Sequence, residues 1–300
     1  MRIIRFLNEQ SVPTLAALTN EEKVYVLPQQ DFMELVRTAE EQETTPLALV
    51  EGVIATSNPI EAKASELNII VPIEAPEVWA SGVTYERSRD ARNYEATGGK
   101  LDATTFYDKV YDAERPEIFF KSTAARTVGP NQDVYLRSDS NWQIPEPELG
   151  LVLNKRGDIV GYTIGNDMSC RDIEGENPLY LPQAKMWKNS CSLGPAIRLA
   201  ETVEDPYTFK ITCRIYRNGE LNVEGSASTG QLKRKFDELV SFLIRDNELF
   251  DGTVLLTGTC IVPPNEFTLE DGDRIEIEIS GIGVLNNPVK SQAAKSVAAQ

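Results

Sequence analysis

The 300-residue chain contains no histidine. This one absence removes Ser-His-Asp and Cys-His triads, histidine-ligated metals and histidine general bases. Any acid–base work therefore falls to Glu, Asp, Lys, Tyr or water. Cysteine is also sparse: Cys170, Cys191, Cys213 and Cys260 lie far apart with no CxxC pair, so neither a zinc site nor a disulfide framework is expected. They read as reduced, buried small hydrophobes. No apolar run approaches the ~18 residues of a membrane span. The amino terminus, Met1 to Leu7, is positively charged but has no apolar signal core, because Asn8, Glu9 and Gln10 interrupt it. The expectation is a cytoplasmic protein. Positive charge is scarce as well: 30 Lys and Arg stand against 46 Asp and Glu, a net charge of −16. That field repels a phosphate backbone and an anionic membrane surface alike, which argues against nucleic-acid or membrane partners. Small anionic substrates stay open, since a bound cation and a few basic residues override the field locally.

What remains is an ordinary globular composition, 41% hydrophobic and 25% charged, long enough for one large domain or one large and one small. The most informative stretch is Pro145-Glu146-Pro147-Glu148-Leu149-Gly150-Leu151-Val152-Leu153. Two carboxylates at i and i+2 point to the same side of an extended chain. A turn follows at Asn154-Lys155-Arg156-Gly157, and an apolar run returns through Gly161-Tyr162-Thr163-Ile164 to Asn166-Asp167. Counting back through such a hairpin sets Glu146 opposite residues near 165 to 167, so Glu146, Glu148 and Asp167 converge. Three anions held together repel unless a cation lies between them, and an all-oxygen cluster suits Mg²⁺, Mn²⁺ or Ca²⁺ rather than zinc. The alternative is a solvated hairpin tip with scattered acids. Against it, the flanking residues are apolar on both strands, which would leave the acids partly desolvated without a cation.

Residues 1–72 read as a small amino-terminal α+β domain and residues 73–300 as the catalytic domain, with a linker near Glu74-Ala75-Pro76-Glu77. Arg2 to Leu7 and Lys23 to Leu27 alternate like strands. Phe32, Leu35 and Val36 follow at helical spacing, with Asp31 as the cap. Strands are expected at Asn68 to Pro72, Val78 to Val83, Ile118 to Lys121, Thr208 to Tyr216 and between Val254 and Leu285. The dense charge from Tyr85 to Tyr94 suggests a helix. The stretch from Glu174 to Pro182 reads as a long irregular loop, of the kind that is usually functional. A helix is expected over Gln231 to Ile244, and the last ten residues are expected to fray.

Several blocks occur together in order. Pro145 to Leu149 holds a Glu-x-Glu pattern, Gly165-Asn166-Asp167-Met168-Ser169-Cys170-Arg171-Asp172 an Asn-Asp-x-Ser-x-Arg-Asp pattern, and Lys185 precedes Gly194-Pro195 by nine residues. Thr257-Gly258-Thr259 and Gly281 to Val289 complete the set. Together these blocks resemble the fumarylacetoacetate hydrolase superfamily over about two-thirds of the chain. The resemblance implies an α+β protein with a mixed β-sandwich or β-roll catalytic domain. One departure stands out. Where the family's carbon–carbon hydrolases commonly carry Asn-Tyr-x-x-His-x-x-Glu, this chain has Thr84-Tyr85-Glu86-Arg87-Ser88-Arg89-Asp90-Ala91. Ser88 and Ala91 stand where the water-activating His and Glu would be.

Arg115 to Lys121, Ser138-Asp139-Ser140, Glu176 to Lys185 and Leu243 to Asn247 are more similar still to one branch, the 2-keto-3-deoxy-D-arabinonate dehydratases. This resemblance implies metal ligation by Glu146, Glu148 and Asp167, with Glu117 and Lys185 near the reacting carbons as the acid–base pair, in either order. Thr257, Gly258, Thr259, Lys121, Ser81 and Arg87 are the expected substrate-binding residues. The implied reaction is Mg²⁺-dependent dehydration of a 2-keto-3-deoxy sugar acid in pentose catabolism, 2-keto-3-deoxy-D-arabinonate giving 2,5-dioxopentanoate, by a homodimer or homotetramer. Two other readings stand beside it. One is an acylpyruvate hydrolase or oxaloacetate decarboxylase of the same superfamily, and the other is a non-catalytic protein that binds a 2-oxo acid.

Overall fold

Leu149, Leu151 and Leu153 alternate with Glu148, Gly150 and Val152 along the strand Pro147–Leu153, and all seven of its residues are buried. A strand buried on both faces must lie inside a layered structure. The computed structural model, which describes residues 1–97 and 110–292, supplies those layers. The strand sits in an 11-stranded mixed sheet whose main path runs Val24–Val26, Pro13–Leu18, Arg2–Leu7, Cys191–Leu199, Ile159–Asp167, Pro147–Leu153, Thr253–Leu256, Val78–Gly82 and Glu117–Ser122. A five-stranded sheet, in the order Glu220–Ser228, Lys210–Arg217, Arg274–Ile279, Gly283–Ser291 and Val134–Leu136, packs against one face. Leu149, Leu151 and Ile164 from the first sheet meet Ile211, Ile277 and Leu285 from the second. On the opposite face Val152, Val254 and Leu256 pack against Ile3, Phe32 and Leu35. The α+β class with mixed sheets is as expected.

Residues 1–72 enter this sheet rather than building one of their own. Arg2–Leu7 pairs on one side with Pro13–Leu18 and on the other with Cys191–Leu199, in the register Arg2↔Arg198, Ile3↔Ile197 and Ile4↔Ala196. The stretch near Glu74 to Glu77 is no loose tether, because Ile73 and Ala75 are buried in the shared core. The helix Phe32–Glu41 forms as expected, with the Asp31 carboxylate accepting from the Glu34 N–H. A second helix, Pro46–Thr56, starts at Pro46 behind a Thr45 cap and buries only Val50.

Two expectations fail locally. The presumed loop from Glu174 to Pro182 is helical: Arg171–Glu176, a 3-10 turn at Pro178–Tyr180, and Leu181–Lys185 follow one another. Pro178 and Pro182 start helical turns here, where a missing N–H is harmless. The helix expected from Gln231 begins only at Phe236, where the Glu238 carboxylate accepts from the Lys235 N–H, and ends at Leu243. The anticipated fraying of the last ten residues falls, from residue 293 on, outside the described residues.

Candidate metal centre

The hairpin register brings the three acids together. Pro147 pairs with Asn166 and Glu148 with Gly165, and one step beyond, the Asp167 N–H donates to the Glu146 carbonyl at 2.9 Å. The Asn166 side chain accepts from the Glu146 N–H at 3.2 Å, which holds the Pro145-Glu146 backbone against the returning strand. One carboxylate oxygen each from Glu146, Glu148 and Asp167 lies within 4.8 Å of the others, and all three residues are buried. Gly258 adopts a φ of +95°, and its N–H donates to Glu148 Oε2 at 2.6 Å. A side chain there would meet the Thr84 hydroxyl at 1.9 Å, so only glycine allows this approach.

Two lysines face the cluster. Lys185, the last residue of the helix Leu181–Lys185, directs Nζ to Glu146 Oε2 at 2.5 Å, Asp167 Oδ2 at 3.1 Å, Ser169 Oγ at 2.6 Å and Glu174 Oε1 at 3.1 Å. Lys121 donates to the Met168 carbonyl at 2.8 Å and to the Lys185 carbonyl, and lies 2.5 Å from Asp167 Oδ1. Arg171 reaches the other Glu146 oxygen at 3.1 Å. Glu174 also pairs with Arg92 at 3.0 Å.

The charges of these groups follow from burial and partners. Burial, reinforced by Asp167 and Glu146, pushes the Glu148 carboxyl well above the usual carboxylate range. Burial also raises Glu146, against the pull of Lys185. At Asp167 burial pushes upward too, but Lys121 and Lys185 outweigh it and hold the carboxyl low. Burial would discharge Lys185, yet Asp167, Glu146 and Glu174 reverse this and raise it. Glu117 is raised by burial, with Arg92 opposing. Its Oε2 is buried without a hydrogen-bond partner among the described residues. It also lies where a side chain on Gly82 would come within 1.9 Å.

This donor set fits a hard divalent cation. All three groups are carboxylates, and no histidine or thiolate competes. Glu148 contacts no ammonium or guanidinium at ion-pair distance among the described residues, while two neighbouring anions oppose its ionisation. A cation between the three carboxylates removes that conflict.

The other expected residues divide. Glu117 and Lys185 both lie at the centre. Lys121 is fully buried, with three acceptors around its ammonium. Thr257 donates its N–H and hydroxyl to the Leu149 carbonyl, and Thr259 exchanges hydrogen bonds with Ile261. Of this segment, the Gly258 N–H is the group directed at the centre. Ser81 is buried on the strand paired with Glu117–Ser122, its hydroxyl unpartnered among the described residues. Arg87 instead lies 3.3 Å from the Val262 carbonyl and lines a separate cavity with Tyr85, Gln231 and Cys260. Arg171 bridges to Glu146, while its neighbour Asp172 accepts from the Ser140 hydroxyl and the Asn141 N–H. Sequence reasoning missed Glu174, Arg92 and Ser169. Glu174 follows Arg171 by three residues, a spacing that shares a face only once the segment is helical.

A cavity of about 510 Å³ opens beside the centre, with Glu117, Glu174 and Arg92 on its wall. The chain has close counterparts among known proteins. A 2-dehydro-3-deoxy-D-arabinonate dehydratase of Saccharolobus solfataricus is 49% identical over 76% of this chain and 76% of its own. A probable 2-keto-3-deoxyxylonate dehydratase of Haloferax volcanii is 44% identical over 86% of this chain and 87% of its own. A solved 2-keto-3-deoxy-D-arabinonate dehydratase, complexed with magnesium and 2,5-dioxopentanoate, matches with a TM-score of 0.83 at 37% identity, covering 97% of this chain and 99% of that one. The family model for the fumarylacetoacetate (FAA) hydrolase C-terminal region matches residues 88–290. The chain belongs to the fumarylacetoacetate hydrolase family.

Proposed function

We propose that this protein is a hydro-lyase that dehydrates a 2-keto-3-deoxy sugar acid, with 2-keto-3-deoxy-D-arabinonate giving 2,5-dioxopentanoate and water. The observation that carries the reading is the position of Lys185. Its Nζ touches two of the three carboxylates suited to a metal, while the Glu117 carboxyl faces the adjoining cavity. Glu146, Glu148 and Asp167 would hold a Mg²⁺ ion, with Mn²⁺ or Ca²⁺ as alternatives. Such an ion supplies Lewis acidity to the carboxylate and 2-oxo group of the substrate, which acidifies C3.

Lys185 is held protonated by Asp167, Glu146 and Glu174; with Glu146 and Asp167 engaged as ligands it would lose most of that support, and the neutral amine would then be placed to take the C3 proton. Glu117, whose burial favours the protonated form, delivers a proton to the C4 hydroxyl, which leaves as water. Moving one proton from C5 to C3 then gives the enol of the product aldehyde. Acid–base assistance of this kind contributes about 10²–10⁴-fold. Lys121 positions Asp167 and the carbonyl end of the Lys185 helix. The Gly258 N–H fixes Glu148. The carbon–carbon hydrolase reading loses support, because Ser88, where the dyad histidine would stand, donates its hydroxyl to the Tyr85 carbonyl.

We also infer a homodimer or homotetramer, supported by large apolar side chains left exposed on the outer strands of the two sheets, Val26 and Leu221. A cytoplasmic site of action is supported by four cysteines that are all free. No helix among the described residues is long and apolar enough to cross a membrane. The decisive assay follows aldehyde formation from 2-keto-3-deoxy-D-arabinonate with Mg²⁺, then with EDTA, and then with Glu117→Gln and Lys185→Met. Turnover that needs Mg²⁺ and falls at least about 100-fold in each variant is expected. Pyruvate release from acylpyruvates without dehydration would instead make the protein a hydrolase, and binding of a 2-oxo acid without any turnover would make it a binding protein.

A further inference from the structure

Beyond the metal ligands and the proton-moving pair, the cavity beside the centre carries a buried ion pair that the reaction as described does not use. Its wall is mainly apolar, formed by Val110, Pro116, Pro178, Leu179 and Leu181. Arg115, Glu117, Arg92 and Glu174 interrupt it; the last two are 5% and 1% exposed, with Arg92 Nη1 3.0 Å from Glu174 Oε2. The second Glu174 oxygen lies 3.1 Å from Lys185 Nζ. The pair therefore adjoins the lysine directly.

We propose that Arg92 and Glu174 form a hydroxyl-reading site that makes the centre select 2-oxo acids bearing hydroxyls beyond C3. The proposal rests on the dehydratase reading and deepens it. Three arguments support it. A buried ion pair in an apolar wall is often no more stabilising than well-packed apolar side chains, so its presence calls for a use. A hydroxyl both donates and accepts. The guanidinium donates and the carboxylate accepts, and the two lie side by side, so one hydroxyl, or two on adjacent carbons, is matched on both counts.

The third argument is position. A substrate anchored through C1 and C2 at Glu146, Glu148 and Asp167 would present C3 to Lys185 and Glu117, and its C4 and C5 would then reach the cavity that Glu174 and Arg92 line. The two residues come from different helices, Glu86–Thr97 and Arg171–Glu176, which pack against each other. Burial would discharge Glu174, but Arg92, Lys185 and Arg171 outweigh it and keep the carboxylate ionised as an acceptor.

The test compares Arg92→Met and Glu174→Gln with the unaltered enzyme, in Mg²⁺. KM for 2-keto-3-deoxy-D-arabinonate is one readout. The inhibition constant of 2-oxobutyrate, which has the carboxylate and oxo group but no hydroxyl, is the other. The expected result is a KM raised about 10- to 100-fold with the 2-oxobutyrate constant unchanged, and partial recovery in Arg92→Lys, which keeps a donor. Parallel weakening of both ligands, or a fall in kcat with KM unmoved, would mean that the pair only braces the two helices, and would overturn the proposal. Unaltered enzyme that fails to dehydrate the sugar acid would defeat the dehydratase reading itself. The hydroxyl-reading site would then stand or fall on calorimetric binding: a preference for the sugar acid over 2-oxobutyrate that both variants abolish supports it, and equal binding of the two ligands refutes it.

Discussion

Glu148 is where burial and like charge act most strongly in one direction. Removing its charge should therefore have opposite effects with and without metal. In EDTA, Glu148→Gln is expected to melt no lower than the unaltered protein, because it relieves repulsion from Asp167 and Glu146. With Mg²⁺ it should lose the ligand-induced rise in Tm and at least about 100-fold in Mg²⁺ affinity. Differential scanning calorimetry in the two buffers reads both effects. A pH dependence accompanies this. The folded-state pKa of Glu148 is raised above its ordinary value of 4.5, so between those two values the folded chain in EDTA holds a proton that the unfolded chain has lost. The contribution of this group to stability falls as pH rises through that window. Mg²⁺ must displace the same proton, so its affinity should rise with pH across the window, with about one proton released per ion. Isothermal titration in buffers of different ionisation enthalpy measures the release, and affinity that is flat with pH would contradict it. Glu146, Glu148 and Asp167 were legible in the sequence because i, i+2 spacing and hairpin register are local rules. Arg92 and Glu174 were not, since each lies in a polar stretch whose partner is distant in sequence.

At the scale of elements, Lys121 fastens three pieces together. It stands on the strand Glu117–Ser122 and binds the carbonyls of Met168, just beyond the strand Ile159–Asp167, and of Lys185, at the end of its helix. Its aliphatic stem is buried, so Lys121→Met keeps much of the packing but leaves two carbonyls and Asp167 without the ammonium. The expected loss is about 3–5 kcal/mol in urea denaturation with EDTA, and a smaller one with Mg²⁺, which compensates Asp167. Equal losses in both buffers would mean that Asp167 does not ligate the ion. The segment from Arg171 to Lys185 teaches a related lesson. Its prolines read as breakers by composition, whereas in the first turn of a helix they are tolerated as starters. Which role applies depends on the packing that fixes the start.

For the whole molecule, the join between residues 1–72 and the rest is the main question. Ile3 pairs with Ile197 across the strands and is fully buried in the cluster that holds Val152 and Leu256. Ile3→Ala should cost about 2–5 kcal/mol, read as a lowered urea midpoint at unchanged m-value. We propose that residues 73–300 do not fold stably alone. Deleting residues 1–72 would bare one edge of Cys191–Leu199 and the apolar face around Leu193 and Val254, and such edges pair with other chains. Size-exclusion chromatography of the truncated chain is expected to find aggregates. A monodisperse species with native circular dichroism would instead support the division into residues 1–72 and 73–300.

The sequence by itself determined the trio of carboxylates, since with no histidine and no paired cysteines it was the strongest constellation left, and its hairpin could be counted residue by residue. The lysine beside it and the class of chemistry were carried by the resemblance of the sequence blocks to the fumarylacetoacetate hydrolase superfamily. Only the tertiary structure decided that the amino-terminal strands complete the catalytic sheet and that Glu174 touches Lys185. It also decided that the Thr257-Gly258-Thr259 segment holds Glu148 in place through its glycine. Period and spacing describe what neighbours along the chain share. Burial, pairing across sheets and the charge each carboxyl carries depend on groups a hundred or more residues away, such as Gly258 on Glu148.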